Sequence, residues 1–219
     1  MEIRAVPRIL SSRSLTFAAL ATALACISTQ PAIAGDQGPS LPADMQPTRL
    51  IAQQQIGELR DILKHEIVQI SVRAQNKRHA DLDEASIVAI DKQWRAERKA
   101  ADKPLISATL SNPLSVYLLR MQAQNGGLYS EIFIMDDKGL NVGQSSITSD
   151  YWQGDEAKYK KTFLVGPDAV FVDEAEWHKG TKTWRAQVNM TIADTKDGKA
   201  IGAAVFEINL TELKRRLGS

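Results

Sequence analysis

Residues 148–163 (TSDYWQGDEAKYKKTF) hold the densest set of groups able to grip a small molecule. On a helix or tight turn, Tyr151, Asp155 and Lys158 become neighbours at spacings of three and four. So do Trp152, Asp155 and Tyr159. Aromatic walls exclude water, while a fixed carboxylate and ammonium orient a zwitterion or an acid. Arg185 and Gln187 alternate with apolar residues further along the chain and can complete such a pocket from a sheet. A plainer reading uses the same residues: Trp152 and Tyr159 pack the segment down and Asp155 caps a helix.

Other constellations carry less. His65, His79 and His178 have no metal-ligand spacing and read as surface or capping side chains. Asp173, Glu174 and Glu176 lack the regular oxygen spacing of a calcium loop and read as a solvated loop. Gly139 to Gly143 precede Gln144 with no phosphate-loop lysine, and no G-x-S-x-G motif is present. No catalytic pair, metal or cofactor is expected, and an enzyme is not the expected reading.

The 219 residues carry 27 basic and 26 acidic side chains, which points away from a polyanionic partner such as nucleic acid. At 43% hydrophobic and 24% charged, the composition is that of a soluble globular domain. The start is different. Arg4, Arg8 and Arg13 precede a short apolar run at 15–27, and Ala32-Ile33-Ala34 offers small residues before Gly35. This is the pattern of a secretory signal peptide over residues 1–34, cleaved after Ala34, with export to the periplasm. Cys26, the one cysteine, offers a lipoprotein alternative, but Ala23 stands where such a signal has leucine. Removing three basic residues and one acid leaves 24 basic and 25 acidic, a net charge of −1.

Residues 35–47 hold three prolines and are expected to be a flexible lead-in. Apolar residues at spacings of three and four then predict a long helix over 48–75, a second over 82–99 and a third over 113–124. Asn112 and Pro113 start the third helix, and Gly126-Gly127 stops it. Strands are predicted at 128–135, 140–144, 169–173, 183–193 and 200–210, with a short helix near 155–163 and a last helical turn at 211–217. The last strand is apolar on both faces and belongs mid-sheet, whereas the second and third are short and belong at edges. The expected fold is α+β: a five-stranded antiparallel sheet in the order 2-1-5-4-3, with a long helix against one face.

Three stretches carry a resemblance to a known family: 131–143 (EIFIMDDKGLNVG), 148–163, and 197–210 (DGKAIGAAVFEINL). They resemble the hairpin, the insertion and the closing strand of the PAS-like extracellular sensor domains called PDC or Cache domains. The resemblance spans residues 48–219 as one unit. It implies a pocket between the sheet and the segment linking the second and third strands, and a ligand that is an amino acid or organic acid. It also implies a membrane sensor kinase or chemoreceptor as signalling partner, and a homodimer paired through the long helix. The competing expectation is an interaction protein with no ligand, its insertion collapsed and its helix bearing a bare apolar stripe.

Overall fold

The computed structural model describes residues 38–218. Residues 1–34, read from the sequence as a signal peptide and including Cys26 and Ala34, lie outside the described residues. A 3-10 turn at Ala43–Met45 leads into α1 (Pro47–Leu50), α2 (Gln53–Leu63), α3 (Glu66–Arg78), α4 (Glu84–Glu97), α5 (Pro104–Ser111) and α6 (Pro113–Gln124). Then come β1 (Tyr129–Met135), β2 (Asn141–Gln144), α7 (Ala157–Lys160), β3 (Val170–Val172), β4 (Glu176–His178), β5 (Thr183–Ala193), β6 (Ala200–Asn209) and α8 (Leu210–Leu217).

The long helix expected over 48–75 is three helices. Ile51 and Ala52 leave helical geometry between α1 and α2, and His65 is extended between α2 and α3. No proline or glycine causes the second break. Buried Gln69 donates to the Leu63 carbonyl at 2.9 Å, which serves an acceptor that a continuous helix would have used itself. The His65 ring also lies 5.1 Å from that of Tyr117. Tertiary partners therefore override local propensity. The described part of the lead-in, residues 38–47, packs on the domain: Met45 is buried and Leu41 rests on the core. α5 was not expected. α6 has the expected bounds, and the Asn112 side chain accepts from the Ser115 N–H at 2.8 Å.

The sheet is antiparallel with the order β2-β1-β6-β5-β3, and β4 pairs beyond that path with β5. The five expected strands hold their expected places, and β4 is the addition. Register decides which residues share a face. Glu131 opposes Glu207, which opposes Gln187, so one polar row crosses three strands.

Alternation divides the sheet into two faces. Ile132, Ile134, Val188, Met190, Ala204, Phe206 and Ile208 meet Leu59, Val68, Val72 and Leu118 of the helices in the main core. Phe133, Met135, Ala203 and Val205 face the other way and are covered by Tyr159 and Phe163. A third cluster of Trp94, Ile106, Leu140 and Tyr151 packs α4 and α5 against the hairpin end of the sheet.

Candidate functional site

The site is built outward from the β1–β2 turn. Asp136 is fully buried there. Its Oδ1 accepts from the Lys138 and Leu140 N–H groups, both at 2.9 Å. Its Oδ2 accepts from Gln75 Nε2 at 3.0 Å and lies 2.8 Å from His79 Nδ1, tying the turn to the end of α3. Gly139 takes φ +81°, and a Cβ there would stand 2.7 Å from the Gly154 backbone. That close approach lets residues 151–153 run beside the turn: Asn141 N–H donates to the Tyr151 carbonyl and Gln153 N–H to that of Gly139. Asp91 of α4 holds the same segment. Its Oδ1 accepts from the Tyr151 and Trp152 N–H groups at 3.0 and 3.1 Å.

This anchoring explains where the expected site residues go. Tyr151 is buried with its ring 5.2 Å from Trp94, and burial together with the Asp136 charge pushes its phenol up to about 12. Trp152 Nε1 donates to the Lys138 carbonyl at 2.9 Å. Tyr159 stacks on Phe163 at 5.2 Å and donates to the Asp137 carbonyl at 2.6 Å. Burial, then the charges of Asp136 and Asp137, pushes its phenol upward too. All three aromatics spend their polar atoms or faces on packing. Asp155 is exposed, and α7 begins after Glu156 with no side-chain cap. The helical spacing that grouped these residues does not exist, because α7 covers only Ala157–Lys160.

Lys158, Arg185 and Gln187 are brought together. They line a cleft of about 220 Å³ between the start of α7, the 173–176 segment and the polar face of the sheet. Glu156, Asp173, Glu174, Glu176 and Glu207 line it with them. Arg185 Nη1 donates to Glu207 Oε2 at 2.9 Å, and Lys158 Nζ lies 3.0 Å from Glu156 Oε2. Next to Glu207, Glu131 accepts from Ser146 Oγ at 2.6 Å. Burial holds its carboxyl above the usual range, opposed by that hydrogen bond, and the Glu207 charge adds to the rise. Beneath the insertion, Asn189 Oδ1 and Thr191 Oγ1 are buried with no hydrogen-bond partner among the described residues.

The five carboxylates were not among the expected site residues. Alternation along β5 exposes Arg185 and Gln187 to sequence reading, but only the pairing of β3 and β4 with β5 brings 173–176 over them. Among the described residues no group of three or more His, Cys, Asp or Glu is placed to hold a metal ion. No described helix is long and apolar enough to cross a membrane.

No family model matches the chain, and no curated protein matches it. Solved structures do. The ligand-binding domain of the Pseudomonas aeruginosa amino-acid chemoreceptor PctC, in complex with GABA, is 14% identical over 75% of this chain and 64% of its own, with a TM-score of 0.33. That of the Campylobacter jejuni chemoreceptor Tlp3, in complex with L-valine, is 18% identical over 77% and 64%, with a TM-score of 0.36. The sensor domain of the Vibrio cholerae histidine kinase DctB is 14% identical over 68% and 59%, with a TM-score of 0.33. The chain thus spans less than two thirds of the length of each. These neighbours are ligand-binding or sensor domains of two chemoreceptors and of a histidine kinase. Identities and scores this low transfer no ligand to this chain.

Proposed function

We propose that this chain is an exported sensor module that binds a small molecule in the cleft over β5 and β6 and passes its state to a separate membrane sensor kinase or chemoreceptor. The observation that carries the reading is the convergence of Lys158, Arg185 and Gln187 on one open cleft, from two elements far apart in sequence. An open cleft rimmed by charge, on a sheet whose opposite face is fully packed, is the usual form of a ligand site. In this reading Tyr151, Trp152 and Tyr159 hold the insertion in place, and the insertion presents Lys158. The rival interaction protein needs a bare apolar stripe on its helices, and on α2 and α3 only Ile70 is a largely exposed large hydrophobic residue. A dimer paired through those helices therefore gains no support from their surface.

A thermal-shift screen with a metabolite library tests the reading, because a ligand that binds only the folded state raises stability by about 2.7 kcal/mol at a hundred times its dissociation constant. Gln187→Ala should weaken the shift and leave the ligand-free melting temperature within a degree or two. A library that shifts nothing overturns it. Export is tested separately: the processed protein should begin at Gly35, and a lipid-modified Cys26 would refute cleavage after Ala34.

A further inference from the structure

Arg185 reaches the cleft held on three sides. Its Nη1 donates to Glu207 Oε2 at 2.9 Å, its Nη2 to Thr181 Oγ1 at 3.0 Å and its Nε to Thr183 Oγ1 at 3.4 Å. Its side chain is only 18% exposed. Glu207 lines the cleft with it, but Thr181 and Thr183 do not. They belong to the turn between β4 and β5 and to the first position of β5.

The direction of each bond in that turn is set by groups that can act in one way only. The guanidinium donates, so Thr181 Oγ1 accepts from it. The Thr181 backbone N–H also only donates, and it does so to His178 Nδ1 at 3.2 Å. Nδ1 therefore carries a lone pair, and the ring proton sits on Nε2. Thr181 Oγ1 lies 2.8 Å from the same Nδ1 and 2.8 Å from Thr183 Oγ1. With Nδ1 an acceptor, the Thr181 hydroxyl donates to it and the Thr183 hydroxyl donates to Thr181. One chain of bonds then runs from His178 through Thr181 and Arg185 to Glu207.

The turn backbone is strained around this chain. Among the described residues Lys182 is the only non-glycine with a positive φ, +54°, and its N–H closes the turn on the His178 carbonyl at 2.9 Å. Such a conformation persists where surrounding contacts hold it. A proton on Nδ1 removes one of those contacts. It would point at the Thr181 N–H, which cannot become an acceptor, and it would set an imidazolium beside a guanidinium on one hydroxyl. The ring must then turn out to water, and Thr181 loses the partner that aims its lone pairs at Arg185. Imidazole takes up a proton between about pH 8 and 5. The charged groups on the elements packed around the ring are Glu176 of β4, Lys179 and Lys182 of the turn, Arg185 of β5 and Glu207 of β6.

We infer that His178, Thr181 and Thr183 are positioning residues for Arg185, and that they hold its guanidinium in the cleft only while His178 Nδ1 is unprotonated. Resting on the reading of the cleft as the ligand site, this makes the aim of a ligand-facing cation depend on pH.

The test needs no ligand, so its failure leaves the cleft reading standing. Nitrogen-15 NMR of the full chain follows rotation of the Arg185 guanidinium, its signals identified by their loss in Arg185→Lys. At pH 8, Nη1 and Nη2 should give separate signals. Thr181→Val should merge them, with rotation about fivefold faster or more, the worth of one hydrogen bond. Thr181→Ser, which keeps the hydroxyl, should restore the separation. At pH 5 the parent should match Thr181→Val. His178→Asn, whose Oδ1 accepts in place of Nδ1 and does not titrate, should keep the signals apart at both pH values. Melting curves matching the parent show that the variants are folded. Merged signals in the parent at pH 8, or separate ones in Thr181→Val, overturn the positioning role. A parent unchanged at pH 5, or His178→Asn merging there as the parent does, overturns the control by His178.

Discussion

Asp136 satisfies four donors or ring nitrogens from one fully buried carboxylate, and through them a hairpin turn and a helix end become one unit. Asp136→Ala strands the Gln75 amide and the turn N–H groups in the interior. Hydrogen bonds to charged groups are worth ~1.5–3 kcal/mol, so the variant should lose about 3 kcal/mol or more in urea denaturation. Glu131 behaves oppositely. Burial raises its carboxyl, so the folded state holds that proton more tightly than the unfolded chain. The associated stability is fully present below the unfolded carboxyl value of ~4.3 and is lost as pH rises through the folded value. Glu131→Gln keeps an acceptor for Ser146 and removes the buried charge. It should raise the urea midpoint at pH 7, and the gain over the parent should vanish toward pH 4. A variant less stable at pH 7 would show that the Ser146 contact outweighs desolvation.

Among the elements, those fixed by neighbouring residues were legible and those fixed by distant ones were not. α6 follows from Asn112, Pro113 and an apolar stripe, all local. The strand order follows from which strands are apolar on both faces. The break at His65 is accompanied by a nearby Gln69 bond to Leu63 and by the distant Tyr117 ring, and no proline or glycine announces it. The candidate site divides the same way: period-two alternation found Arg185 and Gln187, while the acidic rim needed a sheet edge that only pairing reveals. Trp152 and Tyr159 were assigned by a helical spacing that the chain never adopts. One glycine records how closely the elements meet. A Cβ on Gly202 of β6 would lie 2.2 Å from the Met135 carbonyl oxygen and 3.2 Å from Val72 of α3. Gly202→Ala should therefore force β1 and β6 apart and cost about 2–3 kcal/mol in chemical denaturation. Hydrogen exchange should show the loss of protection centred on β1 and β6.

For the whole molecule, elements near the two described ends touch. The 3-10 turn and α1 contact α8, and Lys214 of α8 pairs with Asp44. Gly38 lies so close to Trp177 that a Cβ would fall 2.5 Å from the indole ring. A chain beginning at residue 48 gives up the buried Met45, and burial of one such side chain is worth ~1.5–3 kcal/mol. It should be less stable by about 2–3 kcal/mol than a chain beginning at residue 35, with the transition still single. Unchanged stability would mean that the segment only drapes over the surface.

The clasp between Asp44 and Lys214 makes the described chain almost a closed ring. Adjacent ends favour circular permutation. A short Gly/Ser bridge from residue 218 to residue 38, with new ends opened at the exposed turn between Lys196 and Asp197, should give a protein of the same fold and the same cleft. Such a permutant would show that the sheet order, rather than the direction in which the chain enters and leaves it, sets the geometry around Arg185.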